Sequence, residues 1–207
     1  MNKFKSKEEE AFAEWCIEAG KYGLIEGWQY EPEPYILTPR QTVNVRKRLK
    51  TKFKTVERSV FKKHRYTPDY KIVLSELGLV AFKDVFAKTY LAGARSELFS
   101  SFKTAVIDTK GGFMNRGAGQ EFSINQKLMY HFYGIIVEKV NPWRSQRDRK
   151  GLPKKTNPDG SLKIARCFFM DTFCPRSLRV LQNGKVSAMG LDCPTVEEFI
   201  NKIRGTK

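Results

Sequence analysis

Two aspartates and a lysine, placed where strand-like segments end, carry the most chemistry in this chain. Asp69 follows Pro68 within Arg65-Tyr66-Thr67-Pro68-Asp69-Tyr70, and Asp108 and Lys110 close the apolar run Thr104-Ala105-Val106-Ile107. Carboxylates at the ends of neighbouring strands can share a divalent ion. Mg²⁺ suits such a place because it takes few carboxylates and keeps water and substrate phosphate as its other ligands. A metal held there polarises a phosphate and lowers the pKa of a ligated water. A spacing of two puts Lys110 on the strand face of Asp108, where its ammonium can hold the attacking water and offset developing negative charge. The intervening Thr109 is expected to point into the fold and to offer its carbonyl as a further ligand. Asp84 is a competing acid without a lysine at the needed spacing, since Lys83 precedes it and Lys88 lies four residues on.

The charge balance points the same way. The 207 residues include 38 Lys and Arg against 22 Asp and Glu, a net charge of +16. Self-repulsion on that scale calls for an anionic partner, and it disfavours an ordinary enzyme of neutral metabolites. Nucleic acid comes first as partner and an anionic membrane surface second. No run of 18 apolar residues could span a bilayer, and the charged segment Met1 to Glu10 lacks the apolar core of a secretory signal. The expected location is therefore cytoplasmic. The four cysteines, Cys16, Cys167, Cys174 and Cys193, include no Cys-x-x-Cys pair, and with His64 and His131 they make no zinc-like spacing. They read as reduced, buried thiols, with a structural zinc on the last three as the alternative.

The elements that must position these groups follow from local pattern. Ser6 to Ala19 reads as a helix capped by Ser6, with Glu8, Glu9 and Glu10 in its first turn, Phe12, Trp15, Cys16 and Ala19 facing inward, and Gly20 and Gly23 ending it. Leu24 to Pro34 reads as extended. Between Arg46 and Arg65 lie ten basic residues and a single carboxylate, Glu57, interleaved with Leu49, Phe53, Val56, Val60 and Phe61. That mixture is too apolar for a disordered tail and predicts a basic arm or hairpin, or a helix with one packed face, over 43–65. Tyr66 to Leu74 predicts a strand. Within 75–103, Val80 to Phe86 predicts strand and Tyr90 to Phe102 helix. Thr104 to Asp108 predicts a buried strand, Gly111-Gly112 a sharp turn, and Phe113 to Glu121 a flexible stretch. Ser123 to Tyr133 predicts a helix capped by Ser123, with Ile124, Leu128 and Phe132 on one face, and Ile135 to Val140 a second buried strand. This strand–helix–strand order is βαβ-like and defines an α/β class. Arg144 to Asn157 predicts a polar loop, Leu162 to Phe173 an extended segment, and Pro194 to Ile203 a helix with Thr195 as cap.

Taken together, Pro68-Asp69, Asp108-Thr109-Lys110 and the acidic helix Ser6-Lys7-Glu8-Glu9-Glu10-Ala11-Phe12 resemble the PD-(D/E)XK nuclease superfamily. The helix with Gln126-Lys127 that follows is similar to small phage-encoded members, among them endonucleases acting on branched DNA. The resemblance spans roughly 6–140, with weaker support over 162–175. It implies a restriction-endonuclease-like core: a mixed central β-sheet flanked by helices, carrying the basic arm and 75–103 as an inserted segment. One nuclease domain would occupy 1–207, with 141–207 as a C-terminal extension of the core. The stretch between Asp69 and Asp108 is longer than the short hairpin usual in small members.

The resemblance makes Asp69 and Asp108 the metal-binding acids and Lys110 the catalytic lysine, with Mg²⁺ or Mn²⁺ as cofactor. One helix glutamate adds a further catalytic, metal-binding acid. Glu9, three residues after Ser6, is favoured, and Glu8 and Glu10 stay open. The expected activity is metal-dependent hydrolysis of DNA phosphodiester bonds, selective for structure, in phage or mobile-element DNA processing. Resolution of a four-way junction would call for a homodimer. Phosphate contacts would come from Arg46, Lys47, Arg48, Lys50, Lys52, Lys54, Arg58, Lys62, Lys63, Arg65 and Lys127, and such contacts position the substrate without reading its sequence. The alternative is a nucleic-acid-binding protein on a nuclease-like fold without catalysis.

Overall fold

The structure is a computed structural model, and it describes residues 4–82, 85, 103–110, 116–142, 167–180, 183–187 and 193–205. Outside these lie Asp84, the helix expected over 90–102, the Gly111-Gly112 turn and the loop expected over 144–157.

Helix α1 (Lys7–Lys21) begins as its composition dictates. The Ser6 side chain accepts the Glu9 N–H, and Glu8, Glu9 and Glu10 occupy the positive end of the helix dipole. Gly20 lies inside the helix rather than ending it; Gly23, at φ 70°, turns the chain out. The inner face carries Phe12, Trp15, Cys16 and Ala19 onto the central sheet. Among the described residues that sheet has four strands: β1 (Ile25–Tyr30), β6 (Tyr70–Leu74), β7 (Thr104–Thr109) and β8 (Val137–Val140), in the spatial order β1-β6-β7-β8. The first two junctions are antiparallel and β7–β8 is parallel, so the sheet is mixed. A parallel pair requires a crossover. Helix α3 (Arg116–Tyr133) lies between these two strands in the chain and packs on β8.

Side-chain alternation on β7 divides the interior in two. Ala105 and Ile107 face the main core with Phe12, Trp15, Tyr70, Phe168, Phe173 and Phe199. Val106 faces the opposite way, into a smaller core with Leu37, Tyr66, Phe122, Met129 and Val137. The main core is covered by α1, α2 (Glu76–Phe82), α4 (Phe168–Asp171), α5 (Arg176–Arg179) and α6 (Val196–Gly205), the smaller one by α3. Stacking of Trp15 on Phe12 and Phe173, with Phe82 tilted and Phe168 edge-on against it, makes an aromatic centre.

Between β1 and β6 the chain makes a long excursion. Strands β2 (Tyr35–Thr38) and β5 (His64–Tyr66) pair at its base, and β3 (Gln41–Arg48) and β4 (Phe53–Phe61) pair beyond, closed by a Leu49 N–H bond to the Lys52 carbonyl. Of the forms open to the basic segment, the hairpin is the one adopted. Its root is pinned to α3, where the Tyr133 hydroxyl donates to the Ile36 carbonyl and accepts the Ile36 N–H.

Several local expectations are corrected. Val80 to Phe82 end helix α2 instead of starting a strand, because Ser75 accepts the Gly78 N–H and nucleates a helix upstream. Helix α3 starts at Arg116, so Ser123 is interior and Phe113 to Glu121 is in large part helical. Its face bearing Ile124 and Phe132 is exposed, and the buried face is Phe122, Asn125 and Met129. Phe168 to Asp171 form a helical turn within the segment expected to be extended. Thr195 does cap α6, through a reciprocal capping box with Glu198. All four cysteines are buried, and burial raises the Cys174 thiol to about 11.

Gly78 shows how tightly α2 meets the sheet. A Cβ there would lie 2.0 Å from the Leu24 carbonyl oxygen, a backbone atom that cannot swing aside. Gly78→Ala is expected to cost about 2–3 kcal/mol and roughly 5–10 °C of Tm at this chain length. Gly27→Ala, which meets nothing within 4 Å, should stay within about 1 kcal/mol of wild type. Thermal melts of both variants check this, and equal losses would contradict the close approach.

Candidate functional site

The two aspartates come together where β7 outruns its partner β6. The ladder pairs Tyr70 with Ile107 as its last register, so Asp108 and Thr109 continue past it, opposite the Pro68-Asp69 turn. The Thr109 N–H donates to Asp69 Oδ2 at 2.7 Å and the Thr109 hydroxyl to the same oxygen at 2.8 Å. Thr109 is buried, and inside the fold both its N–H and its hydroxyl are spent on Asp69. It clamps Asp69 against the end of β7. The Asp69 carbonyl accepts the Glu31 N–H at 2.8 Å, which fixes the turn from the β1 side.

Asp108 is held from the other side. Strand alternation sends it to the α3 face with Val106, where the buried Tyr66 hydroxyl donates to its Oδ2 at 3.0 Å. Lys110 returns to the same face, as a spacing of two requires, and its ammonium pairs with Asp108 Oδ1. Each oxygen of this carboxylate thus has its own donor.

The electrostatics follow from the crowding. Asp69 is raised from 3.8 to about 6, first by burial, then by the charge of Asp108 and a hydrogen bond with its carboxyl; Thr109 and Lys110 pull it back down. The Tyr66 phenol is pushed far up, by burial first and then by Asp108, and stays a hydrogen-bond donor at all ordinary pH.

Glu9 occupies a separate, neighbouring position. Its Oε2 accepts the Tyr30 hydroxyl at 2.6 Å and the Lys5 N–H at 2.9 Å, while its carbonyl accepts the Tyr70 hydroxyl. Among the described residues no three acidic, His or Cys side chains gather at metal-binding spacing; the contacts couple Asp69 to Asp108, while the Glu9 carboxylate is engaged by Tyr30 and Lys5. Glu8 is half-buried and Glu10 exposed. The aspartate pair fits Mg²⁺, which needs few protein ligands, and the mutual repulsion of the carboxylates is what a cation would relieve.

Three contributors escaped the sequence reading. Tyr66 looked like one more strand residue, and its hydroxyl contact with Asp108 depends on where the arm returns. Lys139 sits beside Asp108 in the parallel register of β8, and its ammonium lies 5.8 Å from the Phe122 ring, as does that of Lys110. Phe122 thus lies under both lysines. Gln126, by contrast, is structural: its amide donates to the Val137 carbonyl at 3.0 Å. The arm residues Arg46, Lys47, Arg48, Lys50, Lys52, Lys54, Arg58, Lys62, Lys63 and Arg65 are all exposed, as is Lys127 on α3.

Comparison with known protein families, with curated proteins and with solved structures finds no match in any of the three. Among the described residues no helix is long and apolar enough to cross a membrane.

A raised carboxyl destabilises the fold when ionised. The folded protein holds the Asp69 proton up to about pH 6. The unfolded chain loses it near 3.8, so stability falls as pH rises between these values. Asp69→Asn should therefore raise the Tm of the metal-free protein above pH 6, and the gain should vanish as pH falls below about 4. Melts across this range in EDTA check the sign; a gain that grows toward acid pH would contradict it.

Proposed function

We propose that the chain is a metal-dependent endonuclease that hydrolyses DNA phosphodiester bonds, a member of the PD-(D/E)XK type with Asp69, Asp108 and Lys110 as its central residues. The observation that carries this reading is the meeting of two aspartates and a lysine at one strand end, in a chain of net charge +16. Two anions crowded into a half-buried corner oppose both folding and the approach of a polyanion, and a divalent cation removes both objections.

Asp69 and Asp108 would hold Mg²⁺ or Mn²⁺, which when bound polarises the scissile phosphate and acidifies a ligated water. Tyr66 and Thr109 fix the two carboxylates from opposite sides, so little reorganisation is needed during reaction. Lys110, poised on Asp108, supplies positive charge where negative charge accumulates on phosphate. Lys139 adds a second cation on the same face. The arm brings affinity, because each phosphate neutralised by Lys or Arg releases counterions.

Supercoiled plasmid incubated with Mg²⁺ or Mn²⁺ should be nicked or linearised, and EDTA should stop it. Lys110→Ala and Asp108→Asn should each lower the rate by about 10²-fold or more. Salt-sensitive binding that persists without cutting would favour a non-catalytic nucleic-acid binder instead.

A further inference from the structure

The far end of the arm has a composition unlike a plain charged hairpin. Six of the nine residues from Arg46 to Lys54 are basic and none is acidic. Among them stands Phe53, which is 55% exposed. Among the described residues it joins neither hydrophobic core, and β3 and β4 form a two-stranded ribbon separate from the central sheet. Phe53 pairs across the ribbon with Arg48, and the diagonal Arg46 guanidinium lies 4.2 Å from its ring centroid. The ring is therefore braced by a cation and, with more than half of the residue's surface exposed, is accessible to a ligand.

The ligand of the ring is set by its surroundings. Cations around an aromatic face repel a second basic arm and attract a polyanion that itself carries flat rings. Inside a continuous duplex every base is covered above and below by its neighbours. A free base face exists only where strands end, branch or are unpaired. Base–aromatic stacking is tolerant of sequence, and fixing the ring beforehand lowers the ordering cost of binding.

We infer that Phe53, braced by Arg46, is a stacking platform for an unpaired base, so that the arm tip selects DNA at breaks or branches while the surrounding lysines and arginines hold its phosphates. This rests on nucleic acid being the substrate of the proposed site and deepens that reading by naming the substrate class. From Tyr66, which touches Asp108, to Phe53 the chain can extend at most about 40 Å, so a base held at the tip and a phosphate at the aspartates can belong to one DNA molecule.

The test is fluorescence anisotropy in EDTA, where no cutting intervenes. The full chain is titrated onto a duplex whose ends are capped by non-nucleotide linkers, and onto the same duplex with a single-stranded gap. Wild type should prefer the gapped DNA. Phe53→Ala should weaken gapped binding about tenfold, consistent with loss of one stacked base, and change capped-duplex binding less than about twofold. Phe53→Trp should keep the preference. Lys50→Ala with Lys52→Ala should weaken both DNAs alike and flatten the salt dependence. Equal effects of Phe53→Ala on both DNAs, or no effect on either, would overturn the inference, as would a change in sedimentation showing that the ring serves a second copy of the chain. The preference can survive a failed cleavage assay, and cleavage can survive a failed preference, so the two readings are separable.

Discussion

Two carboxyl groups forced together at the end of β7 repel one another when both are ionised, and the contacts around them are arranged against that repulsion. Thr109 turns its N–H and hydroxyl onto one oxygen of Asp69. Tyr66 and Lys110 take the two oxygens of Asp108. Burial still wins, and Asp69 is left above its ordinary range. A fold concerned with stability alone would place an apolar residue or an amide here. The retained tension, a carboxyl raised by burial and by a neighbouring carboxylate, marks the corner as a candidate functional site.

The rest of the fold serves to hold that corner. Alternation along β7 puts Ile107 in the main core and Val106 in the smaller one, so both layers anchor the strand that carries Asp108. The arm is tied to the same point. Its returning strand β5 ends at Tyr66, and its outgoing strand β2 is locked to α3 through Ile36 and Tyr133. The base of the arm and the geometry at Asp108 therefore share one hydrogen-bonded root, which suits a proposed nuclease that must hold a long substrate and cut it at one place.

What was legible in the sequence was local. The Ser6 cap, the acidic first turn of α1 and the Thr195 capping box rest on neighbours within one helical turn. The apolar run of β7 and the alternation that pairs Asp108 with Lys110 need only the strand itself. The nonlocal parts were less accessible. That Thr109 clamps Asp69 depends on the β6–β7 register, and that Lys139 lies beside Asp108 depends on the β7–β8 register. Strand-like composition misled at Val80 and at Phe168, where packing against Leu24 and around Trp15 favours helix. Gly117 and Gly119, poor helix formers, concealed the first turns of α3.

The most direct test of the central claim is binding of Mn²⁺ itself, measured by calorimetry and by the loss of the free-ion paramagnetic resonance signal. Wild type should bind saturably, and binding should weaken at least about tenfold in Asp69→Asn and in Asp108→Asn. Binding that is absent in wild type, or unchanged in both variants, would contradict the claim.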